Sequence, residues 1–376
     1  GLGDVYKRQP MKILTFSFRK NFFSIIFVLF TILLVLFSSS NLASAKNGLY
    51  LWANNIIPAL FPFFIATELL SHTNVIAILG KFFNKFMRPL FNVPGEGSYP
   101  LIMGIVSGYP VGAKIVCDLR NKNILTKPEA ERLLAFTNNS GPLFILGTIG
   151  IGLFKDTTTG IILLVTHILA SLTVGIIFRF WKYKDVNIGT SSSTTHITNT
   201  IVNRSNIGDI LSTAIKNSIF TILNIGGFIV LFSVIISIFN RTHIIALSSA
   251  ILNPLFNLLH ITPDFAQGIL NGFLEITNGL QQISSIPIKN ISFSIIICTF
   301  ILGFGGISVL LQVYSFTAKS DVSIKSYILG KFLQGLIAAF YTFLAFHFFS
   351  FLSLDLSNIA VSYTHLRAHE TELHLV

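Results

Sequence analysis

The chain has 376 residues, 52% of them hydrophobic and only 11% charged, with a net charge of +11 and a mean hydropathy of +0.72. Soluble domains are about a quarter charged, so the composition excludes an ordinary soluble fold and points to an all-α polytopic membrane protein. The positive charge does not point to nucleic acid, because the basic residues stand between apolar runs, as cytoplasmic loops do.

The two cysteines, Cys117 and Cys298, are far apart in apolar context and read as packing residues, with no metal or disulfide spacing. Both ends read as foreign. Residues 1–10 precede a start at Met11, and 361–376 are polar; both resemble translated adaptor tails and are set aside. The histidines at 365, 369 and 374 are therefore not taken as a metal site.

Arg19-Lys20 lead into an apolar run from Asn21 to Ser38. It is taken as a transmembrane helix in an N-terminal unit over 11–45, rather than a cleaved signal peptide, with the N-terminus in the cytoplasm. A first repeat over 46–184 follows. It opens with a span from Leu49 to Leu70. Next, Val75 to Asn92 carries Lys81, Lys85 and Arg88 between phenylalanines and reads as an amphipathic surface helix.

Gly104 to Lys114 holds three glycines, a proline and a lysine in an apolar neighbourhood. Such backbone is tolerated at membrane depth only where protein buries it or it lines a wet cavity. The stretch from Ser98 to Asp118 is thus expected to be a re-entrant hairpin. Thr126-Lys127-Pro128-Glu129 is a helix start with the spacing of a capping box. That helix breaks at Asn138-Asn139-Ser140-Gly141-Pro142 and resumes over Leu143 to Phe154. Thr159 to Trp181 closes the repeat, and a polar, Ser/Thr-rich linker occupies 185–206.

The second repeat, 207–353, has the same order. It comprises a span (Ile207 to Phe239), a surface helix (Thr242 to His260), a hairpin (Asp264 to Ser285), a span broken at Gly303-Phe304-Gly305-Gly306, and a last span (Ser326 to Phe351). Pro89-Leu90-Phe91-Asn92 recurs as Pro254-Leu255-Phe256-Asn257, Gly104 and Gly108 match Gly268 and Gly272, and Gly141 matches Gly305. All three pairs have the same separation along the chain to within one residue. Charge places 81–88, 120–127 and 182–184 inside, so the second repeat starts inside and the repeats are inverted, with Arg241 and Lys289 outside. Inverted repeats with broken segments are the architecture of secondary transporters with a midplane site.

This order, with Trp52 through Phe64, Ser107-Gly108-Tyr109-Pro110-Val111-Gly112-Ala113-Lys114, Phe136 through Pro142, Glu275-Ile276-Thr277-Asn278-Gly279 and Gly305-Gly306-Ile307-Ser308, resembles the nucleoside recognition gate domain. It is distantly similar to the core of concentrative nucleoside transporters and closer to the YlbJ-type sporulation integral membrane proteins. The resemblance implies a multi-pass protein of the outer forespore membrane or cell membrane of a spore-forming bacterium. It further implies a carrier exporting dipicolinate, a small aromatic dicarboxylate, from the mother cell.

The expected substrate-binding residues are Ser107, Gly108, Tyr109, Asn138, Asn139 and Ser140, with Lys114 either supplying charge or snorkelling to the cytoplasmic interface. From the second repeat come Asn271, Glu275, Thr277, Asn278, Ser308 and Gln312. An ionised carboxylate at mid-bilayer costs about 2.5–3.5 kcal/mol on insertion scales, so Glu275 is expected to serve the cavity, the alternative being a helix cap. The aromatic excess is read as lipid-facing. No cofactor or metal is expected. A homo-oligomer is left open. A nucleoside-like neutral substrate and a non-transporting sporulation scaffold are the competing functions. No P-loop, HExxH or GxSxG points to an enzyme.

Overall fold

A computed structural model describes residues 18–182, 207–258, 264–287 and 291–351. The expected tails, the linker and Lys289 lie outside them. The described residues form helices joined by short turns. Four helices are long and apolar enough to cross a membrane, or up to six when each bent pair is taken as one span.

Helix α1 (Phe18–Leu36) is bent by 98° from α2 (Ser38–Leu51). The amide of Asn41 donates to the carbonyls of Leu33 and Leu34 at 3.2 and 3.3 Å, which supplies partners that the bend removes. Helix α2 continues through a π-helical turn at Trp52–Ile56 into α3 (Ile57–Ser71). The first span of the repeat therefore begins at Ser38, well before the expected Leu49. It packs along the 35-residue α9 (Ile207–Arg241). At about 52 Å, α9 exceeds the ~30 Å hydrocarbon core. Trp52 Nε1 donates to the Ile222 carbonyl at 3.0 Å, and its indole lies against Gly226, so the two long helices touch where α9 has no side chain.

Helix α4 (Val75–Phe91) follows α3 after an 87° bend, and exposes Phe82 and Phe86 on the turns that carry its lysines. The first hairpin is α5 (Ser98–Ser107) and α6 (Val111–Asn121). Helix α7 (Lys127–Thr137) starts with the expected capping box between Thr126 and Glu129. After the break, the chain resumes as a π-helical segment, Leu143–Leu153, and α8 (Thr157–Phe178) returns. In the second repeat, α10 (Ile244–Leu258) follows α9. The second hairpin is α11 (Asp264–Leu274) and α12 (Ile276–Ser284). The broken span is α13 (Ile291–Phe304) and α14 (Gly306–Thr317), and α15 (Ile324–Phe351) is last.

The inversion is visible in which connections meet. Arg120, at the foot of the first hairpin, makes a two-pronged ion pair with Asp321, between α14 and α15, at 2.9 and 3.0 Å. Buried Glu131 pairs with Lys182 at 2.9 Å and accepts from the Ser323 amide. The counterpart of the 318–323 connection in the first repeat is 154–156, at the far end of the broken span. The second repeat is thus upside down relative to the first, with this charged face in the cytoplasm.

The hairpin arms touch glycine to glycine. Gly104 packs on Gly112 in the first hairpin, and Gly272 on Gly279 in the second. Gly272, not Gly268, is therefore the counterpart of Gly104. The register moves by four residues, about one helical turn, from the sequence match. Gly268 instead packs against Ile283. Replacing Gly279 with valine should drive a side chain into the Gly272 backbone and destabilise the protein by about 3 kcal/mol or more. Gly227→Ala, where nothing lies within 4 Å, should leave the unfolding midpoint unchanged. Thermal unfolding in detergent followed by size-exclusion chromatography checks both.

Candidate functional site

Each hairpin tip abuts the helix break of its own repeat. Gly108 has φ +88°, and a Cβ there would meet the Gly141 nitrogen at 2.8 Å. A Cβ on Gly306 would meet the Gly272 carbonyl at 3.1 Å and the Ile276 nitrogen at 3.4 Å. Only glycine combines that φ with such close backbone contact. Between the two tips and the two breaks is a cavity of about 620 Å³.

Eight half-helix ends come together around this cavity. At the carbonyl ends, side chains from neighbouring helices satisfy what the breaks release. Gly305, with φ +85°, ends α13, and the freed Leu302 carbonyl accepts from the Tyr109 hydroxyl at 2.7 Å. The Phe136 carbonyl accepts from Asn139 Nδ2 at 2.9 Å and from Ser171 Oγ at 2.7 Å. The Asn138 carbonyl accepts from Lys331 Nζ at 2.9 Å. The Ser140 amide donates to His167 Nε2 at 3.2 Å.

The amino ends are treated differently. The starts of α6, of the Leu143–Leu153 segment and of α14 have no side-chain cap. Helix α12 is capped by Glu275, whose Oε1 accepts from the Thr277 amide at 3.1 Å and whose Oε2 accepts from the Asn278 amide at 2.9 Å and Asn278 Nδ2 at 2.8 Å. Helix amino ends carry partial positive charge. Three of the four therefore leave theirs uncompensated by any capping side chain.

Of the residues expected from the sequence, Ser107, Gly108, Tyr109, Ser140, Glu275, Thr277, Ser308 and Gln312 line the cavity. The hydroxyls of Ser107 and Ser140 are buried without a hydrogen-bond partner. Glu275 lines the cavity and caps α12. Five residues are positioned otherwise. Asn138 and Asn139 sit behind the break, with their amides on the Tyr327 hydroxyl (3.1 Å) and on Ser171 (3.1 Å). Asn271 bonds Gln282 across the second hairpin at 2.6 Å, and Asn278 turns back onto Glu275.

Lys114 is the fifth. It lines a second cavity of about 860 Å³ on the cytoplasmic side, where it pairs with Glu68 and Asp118. Its charge is taken up there and does not reach the central cavity. The two cavities share α3, α9 and α14 as walls, with Phe63, Ile225 and Gln312 on the central side and Glu68, Asn217 and Ser315 on the other. They lie in series along the same three helices.

The sequence reading missed Lys331, Gln334, Tyr327 and Ser171. A lysine inside an apolar span is itself the available signal. Thr148 and Gln281, which also line the cavity, had no signal beyond polarity.

A multi-pass helical protein whose inverted repeats bring two re-entrant hairpins and two broken spans around one cavity is of the transporter-like class. The family model for nucleoside recognition (Gate) matches residues 53–182, which is the first repeat from the π-helical turn to its close. The chain is 33% identical over 329 residues to the sporulation integral membrane protein YlbJ of Bacillus subtilis (strain 168), covering 85% of this chain and 80% of that protein. It belongs to the YlbJ family of sporulation integral membrane proteins. No solved structure matches it.

Tyr109→Phe should strand the Leu302 carbonyl without its donor and lower stability by about 1–3 kcal/mol. Ser171→Ala should cost less, because the Phe136 carbonyl keeps Asn139. Unfolding midpoints of the two variants in one detergent test the order.

Proposed function

We propose that the protein is a secondary carrier, not an enzyme, and that a small anionic metabolite passes through the cavity between the hairpin tips. The observation that carries this reading is the asymmetry of the helix ends there. The carbonyl ends at both breaks are occupied by side-chain donors, while the amino ends of α6, of the Leu143–Leu153 segment and of α14 have no side-chain cap. Such ends favour anions. The unpartnered hydroxyls of Ser107 and Ser140 add two donors, and the Tyr109 ring offers a flat face. At about 620 Å³ the cavity is within the range for small-molecule sites.

Dipicolinate, a flat aromatic dianion, is the substrate that this chemistry and the family resemblance favour, moved out of the mother cell across the outer forespore membrane. Sporulation in the relative's name supports the setting. Moving two negative charges out of a cell held 100 mV negative inside releases about 4.6 kcal/mol, enough for a gradient above a thousandfold. Export then needs no coupling ion. The description of the matching family model, nucleoside recognition, supports a second reading in which a neutral nucleoside is carried with an ion.

Proteoliposomes separate these readings. Dipicolinate flux should exceed that of protein-free vesicles, accelerate toward a positive compartment and resist uridine. Ser140→Ala should weaken apparent affinity by about tenfold for a lost donor. Sodium-dependent uridine flux instead would support the nucleoside reading, and absence of both fluxes would favour a scaffold.

A further inference from the structure

Lys331 lies in α15 with 1% of its surface exposed. Its ammonium donates to the Asn138 carbonyl at 2.9 Å and to Gln334 Oε1 at 2.7 Å, and it stands 5.5 Å from the centre of the Tyr109 ring. The three contacts match its three protons, and none carries negative charge. Among the described residues, no carboxylate forms an ion pair with it, whereas Lys114 has Glu68 and Asp118, and Lys182 has Glu131.

A buried charge without a counter-charge is expensive, so the charge itself calls for an explanation. Satisfying a freed carbonyl does not require one. A neutral hydroxyl does that for Leu302 and for Phe136. What does fit a charge is the composition of the shell: an unwound helix-end carbonyl, an amide oxygen and an aromatic face. Carbonyls at broken helices are how secondary transporters hold coupling cations, and aromatic faces also attract cations. Two further acceptors of the same break, Thr137 Oγ1 and Asn138 Oδ1, are buried without partners. The shell is also held in place from behind, by Gln334 Nε2 on Asn139 Oδ1 at 2.8 Å and by Asn138 Nδ2 on the Tyr327 hydroxyl.

We infer that the Lys331 ammonium is a resident cation, seated at the first helix break where a monovalent coupling ion would otherwise bind. The seat is filled by the chain itself, so the protein has no use for sodium there, and an anion in the cavity meets the Lys331 ammonium behind Tyr109. Only that last clause rests on the carrier reading.

The test uses the purified full chain in detergent. Thermal unfolding is followed while NaCl or LiCl replaces choline chloride at fixed ionic strength. Wild type should not respond. Lys331→Ala, which empties the seat, should unfold several degrees lower in choline and recover with sodium or lithium. Lys331→Met, which fills the space with an apolar chain, should be destabilised and not recover. If Lys331→Ala cannot be isolated from choline medium, its recovery in sodium medium is the same result. Failure in both media overturns the inference, as does an equal response of all three proteins.

Proteoliposome flux then separates the two proposals. Solute flux through wild type should be equal in sodium and choline, and Lys331→Ala should need sodium. Sodium-dependent wild-type flux overturns the resident cation and leaves a carrier. Sodium-restored stability without any flux overturns the carrier and leaves the cation seat.

Discussion

The structure is governed by the requirement that backbone polar groups released at membrane depth find partners inside the protein. Two spans are broken and two hairpins turn back, which leaves eight helix ends far from either aqueous face. Several buried polar side chains near the cavity answer to one of these ends. Tyr109 reaches into the other repeat for the Leu302 carbonyl, Ser171 and Asn139 share that of Phe136, and His167 takes the Ser140 amide. These contacts, with that of Lys331 on the Asn138 carbonyl, join α8 and α15 to the first break and the first hairpin to the second break. The demand for partners is therefore what holds the two repeats together around the cavity.

Much of this was legible in the sequence where chemistry is local. The glycines and proline of 104–112 announced a hairpin, Thr126 and Glu129 a helix start, and Asn138 to Pro142 a break, because each departs from what a lipid-facing helix tolerates. The register of the second hairpin was not legible. Gly268 and Gly272 lie one turn apart on one face of α11, so either can be matched to Gly104, and only packing against Gly279 decides. Its tip was also hidden, since Glu275 turns the chain there without a glycine.

Roles that depend on a partner far along the chain were misplaced for the same reason. The spacing of Lys114 and Asp118 was visible, but not Glu68, which draws that lysine into the cytoplasmic cavity. Asn138 and Asn139 looked like ligands because amides at a break often are. Tyr327 and Gln334, nearly two hundred residues later, occupy them instead. The bend after α1 left no trace of glycine or proline, and rests on Asn41 folding back onto two carbonyls.

The contact of glycine on glycine within each hairpin has a mechanical consequence. With no side chains between the arms, there is nothing compressible to let one arm slide past the other, as packed interiors resist continuous deformation. Each hairpin is therefore a stiff pawl, able to swing about its foot but not to shear. Movement of the first hairpin is then confined to the joints at its foot, residues 92–97 and 122–126.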